Sequence, residues 1–289
     1  MREQFSVTKS LQLEGKFLMM SGMKSSLILE QRLLSLRFQN IQLNTSASRM
    51  NKETVDRSEL KKWIKSIPLI GPTARRLAHL PVFDGVRQRA FPGSTTFWES
   101  RYRGGGTSGS GSYGRLAQFK AEVLNEFVRV EGIRTVIEFG CGDGAQLELA
   151  RYPEYVGVDV ATVPIQRCSV RFAQDSTKRF YLTGSMPSDL GAFDLALSLD
   201  VVFHLVEDPV FDSYMRSLFE RAKSHVIVYS SNYDDWSESP HVRHRQFTSW
   251  IAKNVPVWQQ TGFLANRFPF DGKRPDDTSF ADFYFFSHR

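Results

Sequence analysis

Residues 135 to 151 read T-V-I-E-F-G-C-G-D-G-A-Q-L-E-L-A-R, and no other stretch limits the fold so tightly. Val136 and Ile137 are β-branched and favour a strand. Gly140, Gly142 and Gly144 then remove the Cβ atoms that would block a sharp turn or hold a ligand away from the backbone. Ala145 to Arg151 carries good helix formers, so the spacing predicts strand, turn and helix, with the helix N-terminus aimed at a nucleotide-like ligand. Cys141 sits inside the turn, where a small residue packed beneath it is the plain expectation and a reactive thiol the sharper one.

Around this turn the pattern alternates. Strands are expected at Thr135–Phe139, Tyr155–Val160, Arg179–Thr183, Phe193–Leu199 and His225–Ser230, with helices between them, including Val210–Ala222. Near-continuous apolar strands separated by helices predict a parallel sheet covered on both faces. Two further strands, Gln259–Asn266 and Phe280–Ser287, suit an antiparallel pair at the end. Before the turn, Leu116, Phe119, Val123, Leu124 and Phe127 recur at helical spacing within Leu116–Val130. Gly104 to Gly114 (G-G-G-T-S-G-S-G-S-Y-G) could be a flexible linker. Phe97, Trp98, Tyr102, Tyr113 and Phe119 bracket it, so it reads better as a lid that orders over a ligand.

The first 96 residues differ from the rest. Residues 1 to 50 are rich in Ser, Gln and Asn and are expected to be disordered or loosely helical. Residues 51 to 96 read as a basic amphipathic extension. In its 58–80 stretch, Leu60, Trp63, Ile64 and Ile67 share a face flanked by Lys61, Lys62 and Lys65. That face suits either its own domain or an anionic membrane surface. No uninterrupted apolar run approaches the roughly eighteen residues of a membrane span, and no clean signal peptide is evident. With only two cysteines, Cys141 and Cys168, a disulfide framework is not expected. The chain is therefore expected in the cytoplasm, with peripheral contact at the inner face of the membrane through 58–80 as a further reading. Zinc-type Cys/His spacing is absent, and no metal site is expected.

Gly140, Gly142 and Ala145 also satisfy the G-x-G-x-x-G/A dinucleotide fingerprint, with Asp159 near the position of its ribose-binding acid. Glu138, two before the first glycine, with a third glycine at 144, instead resembles motif I of the class I S-adenosylmethionine-dependent methyltransferases. Y-V-G-V-D-V-A at 155–161 resembles that family's second strand. F-D-L-A-L-S-L-D-V-V-F-H-L-V-E-D-P at 193–209 resembles its fourth strand and following loop. The resemblance covers about residues 97 to 289, the expected methyltransferase domain. W-E-S-R-Y-R-G-G-G-T-S-G-S-G-S-Y-G is similar to a segment of a bacterial subgroup linked to polysaccharide biosynthesis. Many relatives end the third strand in Gly-Asp, whereas here Gly184 is followed by Ser185.

The resemblance implies a Rossmann-like, doubly wound α/β fold: a mostly parallel seven-stranded sheet with a C-terminal antiparallel strand, joined to an N-terminal helical extension. It implies S-adenosyl-L-methionine as cofactor, held by Glu138, Gly140, Cys141, Gly142, Gly144, Asp159 and Asp200, with Asp159 on the ribose hydroxyls. A hydroxyl acceptor would benefit from a base near neutral pH, and His204, His241 and His244 are the candidates, against the plainer reading of each as a loop histidine. Arg243 and Arg245 suit an anionic acceptor. O-methylation of a sugar, glycan intermediate or other small hydroxyl compound is the favoured expectation. A nucleic-acid methyltransferase is the alternative, supported by the basic extension and disfavoured by Asp200-Val201-Val202-Phe203 where base N-methylation uses an Asn/Asp-Pro-Pro-aromatic element. An NAD-dependent oxidoreductase and a non-catalytic scaffold are weaker alternatives.

Overall fold

The computed structural model describes residues 91–237 and 239–288. The expected loose segment 1–50 and the stretch 58–80, read as amphipathic, lie outside the described residues. Among the described residues no helix is long and apolar enough to cross a membrane.

Helix α1 (Ser94–Arg103) and helix α2 (Gly114–Val130) precede strand β1 (Thr135–Phe139). Then follow β2 (Glu154–Asp159), α3 (Thr162–Arg171), β3 (Lys178–Leu182), β4 (Phe193–Leu199), α4 (Asp208–Glu220) and β5 (Ala222–Ser230). A two-residue ladder of β6 (Asp235–Trp236) with β7 (Arg243–His244), α5 (Phe247–Asn254), β8 (Trp258–Leu264) and β9 (Asp282–His288) complete the chain. The main sheet runs β3-β2-β1-β4-β5-β9-β8, with β9 antiparallel to both neighbours and the first five strands parallel. This is the α/β, mostly parallel sheet that the alternating pattern predicts, with the seven strands that the resemblance implies.

Period-two alternation builds two cores. Ile137, Phe139, Ala196, Val226 and Val228 face Phe211, Met215, Leu218 and Phe219 of α4. Val136, Leu195, Leu197, Ile227 and Tyr229 face Phe119, Leu124 and Val128 of α2. Successive residues point to opposite faces, so both faces are apolar and each must be covered. Strand order reverses between β1 and β4, and a crevice opens there at their carboxyl ends.

One expected element is missing. Ala145 to Arg151 holds only a 3₁₀ turn, Leu147–Leu149, where a helix was expected. Asn125 of α2 explains the stop: its Nδ2 donates to the Leu149 carbonyl (2.9 Å) and its Oδ1 accepts the Arg151 N–H (2.7 Å). Pro153 also turns Tyr152 away from helical backbone. A helix at this point is therefore replaced by a turn tied to its neighbour.

Packing beneath the glycine turn is tight. A Cβ on Gly157, in β2, would stand 2.9 Å from both Cys141 Sγ and Phe180 Cδ1. Gly157→Ala should therefore destabilise the domain by about 1–3 kcal/mol through overpacking. Thermal unfolding would show it, and the added Cys141→Ala change should restore part of the loss. No penalty in the single variant would mean that the turn yields.

Candidate functional site

A cavity of about 400 Å3 occupies the crevice between the ends of β1 and β4. Its lining includes Glu138, Gly140, Cys141, Gly142, Asp159, Asp200 and His204 from the sequence-predicted set. The remaining candidates fall elsewhere.

Gly140 and Gly142 have φ of 79° and 60°, a region that L side chains avoid. A Cβ at Gly140 would run into Val201, and one at Gly142 into Ser108. Both glycines are thus required by conformation and by close approach. Gly144 serves a different purpose: it does not line the cavity, and a Cβ there would meet Phe172 (2.9 Å) and Cys168 Sγ (3.0 Å). It packs the turn against α3. Cys141 is buried, and the neighbouring Cys168 and burial push its thiol well above the ordinary range, so it is an inert protonated thiol.

Three acids gather at one end. Glu138 is buried and accepts a hydrogen bond from the Tyr155 hydroxyl (2.8 Å). Asp159 accepts the Gly142 N–H (3.0 Å) and the Ala161 N–H (2.9 Å), which fixes the turn to the end of β2. Asp200, with φ of 59°, is held by its N–H to the Tyr229 carbonyl (2.9 Å) and by Lys120 Nζ at 2.5 Å. Lys120 is 1% exposed and its ammonium also lies over the Tyr229 ring. Sequence reasoning missed it, although a lysine four residues after Leu116 and four before Leu124 stands on the apolar stripe of α2.

Burial pushes Glu138 up to about 7, against the Tyr155 hydrogen bond and the Lys120 charge, which lower it. Burial likewise pushes Asp159 up to about 6, opposed by backbone N–H groups. Both folded values lie above the ordinary ones, so these acids favour the fold while protonated. That stabilisation is complete below about pH 4 and is lost as pH rises through 6 to 7. The ligand-free protein should show a falling melting temperature between pH 5 and 8, and Glu138→Gln should flatten that slope. An equally steep slope in the variant would contradict the assignment.

The Gly104–Gly114 segment folds over the turn. Asp143 Oδ2 accepts the Ser108 N–H (3.1 Å) and the Tyr113 hydroxyl (2.7 Å), while the Asp143 N–H donates to Ser108 Oγ (2.9 Å). Tyr102 and Ser108 hydroxyls meet at 2.9 Å. Burial opposes the charge on Asp143, yet these hydrogen bonds hold its carboxyl below the ordinary range. Ser108 and Ser112 thereby roof the cavity. Asp143 and Tyr102 were not singled out as site residues, though the bracketing aromatics pointed to the segment.

The histidines separate. His204 lines the cavity, with Nδ1 at 3.0 Å from the His241 carbonyl and burial pushing its imidazole down to about 3. His241 stacks on Phe97 (4.4 Å) and does not line the cavity. His244 is buried against Tyr233 and Phe280, its Nδ1 2.7 Å from Ser231 Oγ, also outside the cavity. Arg243 and Arg245, expected on an anionic acceptor, instead clamp Asp208 (2.8 and 2.6 Å) and the Leu205 and Val206 carbonyls. Their fork geometry is consumed in fixing the His204–Pro209 loop. Among the described residues no group of three His, Cys, Asp or Glu could hold a metal ion.

No family model matches the chain, and no curated protein matches it in sequence. Solved structures similar to it include the methyltransferase domain of a bacterial Hen1 protein, CtHen1-C (18% identity, 58% of this chain and 96% of that one, TM-score 0.47). Another is the magnesium protoporphyrin IX methyltransferase ChlM from Synechocystis PCC 6803 with bound SAH (14%, 60% and 83%, 0.44). A third is the N-methyltransferase NodS from Bradyrhizobium japonicum WM9, in complex with S-adenosyl-L-homocysteine (15%, 59% and 86%, 0.47). All three TM-scores lie below 0.5, so the function of this chain rests on its own geometry.

Proposed function

We propose that the chain is an S-adenosyl-L-methionine-dependent methyltransferase acting on a hydroxyl-bearing small acceptor, with a sugar or glycan intermediate as the favoured class. One observation carries the choice of cofactor. The glycine turn leads into a 3₁₀ turn and not a helix, and the cavity beside it is lined by Glu138, Asp159 and Asp200 against the single cation Lys120. A dinucleotide pyrophosphate needs a helix N-terminus and would be repelled by the Asp159 and Asp200 carboxylates, more so as Glu138 ionises. A cationic donor fits both facts.

The residues present suit this donor. Gly140 and Gly142 line the cavity with bare backbone, which a ligand can approach closely. Gln146 Oε1 is buried at the cavity without a partner, its Nε2 being bound to the Ala117 carbonyl (3.1 Å), and it can accept from an ammonium. Asp159 retains lone pairs for ribose hydroxyls. Exposed Val160 and nearby Thr183 line the adjoining wall, an apolar face suited to a purine, and Thr183 opens the turn holding Gly184 and Ser185. When bound, the cofactor supplies a methyl carbon that the acceptor oxygen's electron pair takes as the carbon–sulfur pair returns to sulfur. The chain's part is largely positioning. His204, neutral and open to the cavity, can receive the hydroxyl proton at Nε2 while its Nδ1–H donates to His241.

Isothermal calorimetry with S-adenosylhomocysteine tests the reading. Asp159→Ala should weaken binding at least about tenfold, the loss of a charge-assisted hydrogen-bond acceptor. Unchanged affinity, or a melting-temperature rise with NAD and none with S-adenosylhomocysteine, would refute it.

A further inference from the structure

The charges at the two ends of the cavity differ. The end near the turn carries Glu138, Asp159, Asp200 and Lys120; the other is made by Thr95 and Trp98 of α1, His204 and Leu205, and Val210 and Ser213 of α4. No side chain at this second end carries a charge at neutral pH. His204 is held neutral by burial. Glu207 turns away to accept the Ser94 N–H (2.8 Å) and hydroxyl (2.6 Å), and Asp208 is clamped by Arg243 and Arg245. Arg101 is exposed and outside the lining; its guanidinium packs on Trp98 at 5.7 Å and its Nε donates to the Thr107 carbonyl.

Resting on the methyl-donor reading above, we propose that this end receives an uncharged hydroxyl compound whose flat apolar face lies on Trp98, with the reacting hydroxyl donating to Nε2 of His204. Burying an anion here without a partner would cost several kcal/mol, and Arg101, the cation packed on Trp98, is exposed and its Nε is already bonded to the Thr107 carbonyl. An aromatic ring in a lining that also carries the hydroxyls of Thr95 and Ser213 offers what a pyranoside or similar ring needs: an apolar platform and hydrogen-bonding groups in one cavity. Trp98 is held edge-on to His204 at 4.9 Å, so the platform and the proton acceptor are set together. The proton must leave late. A neutral, desolvated imidazole is too weak a base to ionise an alcohol beforehand, but it can take the proton once the new oxygen–carbon bond makes that oxygen strongly acidic; the proton then passes to solvent. Trp98 is thus a specificity-determining residue.

The test uses the full chain, methyl-labelled S-adenosylmethionine and a methanol–water extract of the cells that express it, separated into neutral, anionic and cationic fractions. Label transfer, together with a thermal shift of the S-adenosylhomocysteine-loaded protein, is expected from the neutral fraction. Trp98→Ala should raise the apparent KM about tenfold, with kcat little changed and S-adenosylhomocysteine affinity intact, and Trp98→Phe should recover most of it. Activity and shift from a charged fraction, or from none, would overturn the proposal, as would an unchanged KM in Trp98→Ala. Absence of any stabilisation by S-adenosylhomocysteine would instead sink the methyl-donor reading on which it rests.

Discussion

Gly142→Val should lower S-adenosylhomocysteine affinity roughly a hundredfold, equivalent to about 2.7 kcal/mol, while the far-UV circular dichroism stays unchanged. Two effects combine. The residue sits at φ 60°, where an L residue suffers about 1–2 kcal/mol of strain and a β-branched one more. The new side chain would also land on Ser108, one of the two residues by which the 104–114 segment grips Asp143. Relief of the strain by flipping the turn would break the Gly142 N–H bond to Asp159. The roof and Asp159 are therefore disturbed together. Limited trypsin digestion offers a second readout, since loosening of the roof should speed cleavage at Arg103 and Arg115. Wild-type affinity in this variant would show that the turn does not touch the cofactor.

Lys120→Met should reduce stability by about 3–5 kcal/mol, the usual penalty for removing one partner of a buried ion pair. For a domain of this size that is a melting-temperature drop of roughly 10 °C. The ammonium is almost wholly buried, 2.5 Å from Asp200, and it also lowers the Glu138 carboxyl. Methionine fills similar space, so lost packing contributes little. Asp200→Asn in the same chain removes the stranded charge and should recover much of the loss. The single variant should also lose more stability between pH 5 and pH 8 than the wild type, because Glu138 then ionises without the Lys120 charge that lowers its carboxyl. A near-neutral single variant would mean that water reaches Asp200.

The elements that follow from periodicity were legible in the chain. Thr135–Phe139 and Phe193–Leu199 coincide with β1 and β4, because a strand buried on both faces is a near-continuous apolar run, interrupted here by Thr135 and Glu138 in one and by Asp194 and Ser198 in the other. The antiparallel pair at the end was expected within two residues of where β8 and β9 stand. The helix expected at Ala145–Arg151 failed because helix propensity is a weak prior: Asn125, from another helix, ends the turn after one cycle. Helix α1 and the β6–β7 ladder also lacked a clear signal. Their residues also pack on other segments, through contacts such as Phe97 on His241 and His244 on Phe280.

Half of the site followed the same rule. Glu138, Gly140, Gly142, Asp159 and Asp200 stand at strand ends, and a parallel sheet brings strand ends together without further instruction. The sequence by itself determined this: a doubly wound sheet, a glycine turn at its switch point, and acids beside that turn. Only tertiary structure decided which charged and aromatic side chains reach the cavity. It placed Lys120 inside and turned Arg243 and Arg245 onto Asp208. It kept His204 at the cavity while sending His241 and His244 into packing, and it folded the Gly/Ser segment onto Asp143. The reason is physical. Strand periodicity is a local property written in two- and four-residue spacings, whereas the partner of a long polar side chain is whichever opposite group the packing of distant elements brings within about 3 Å.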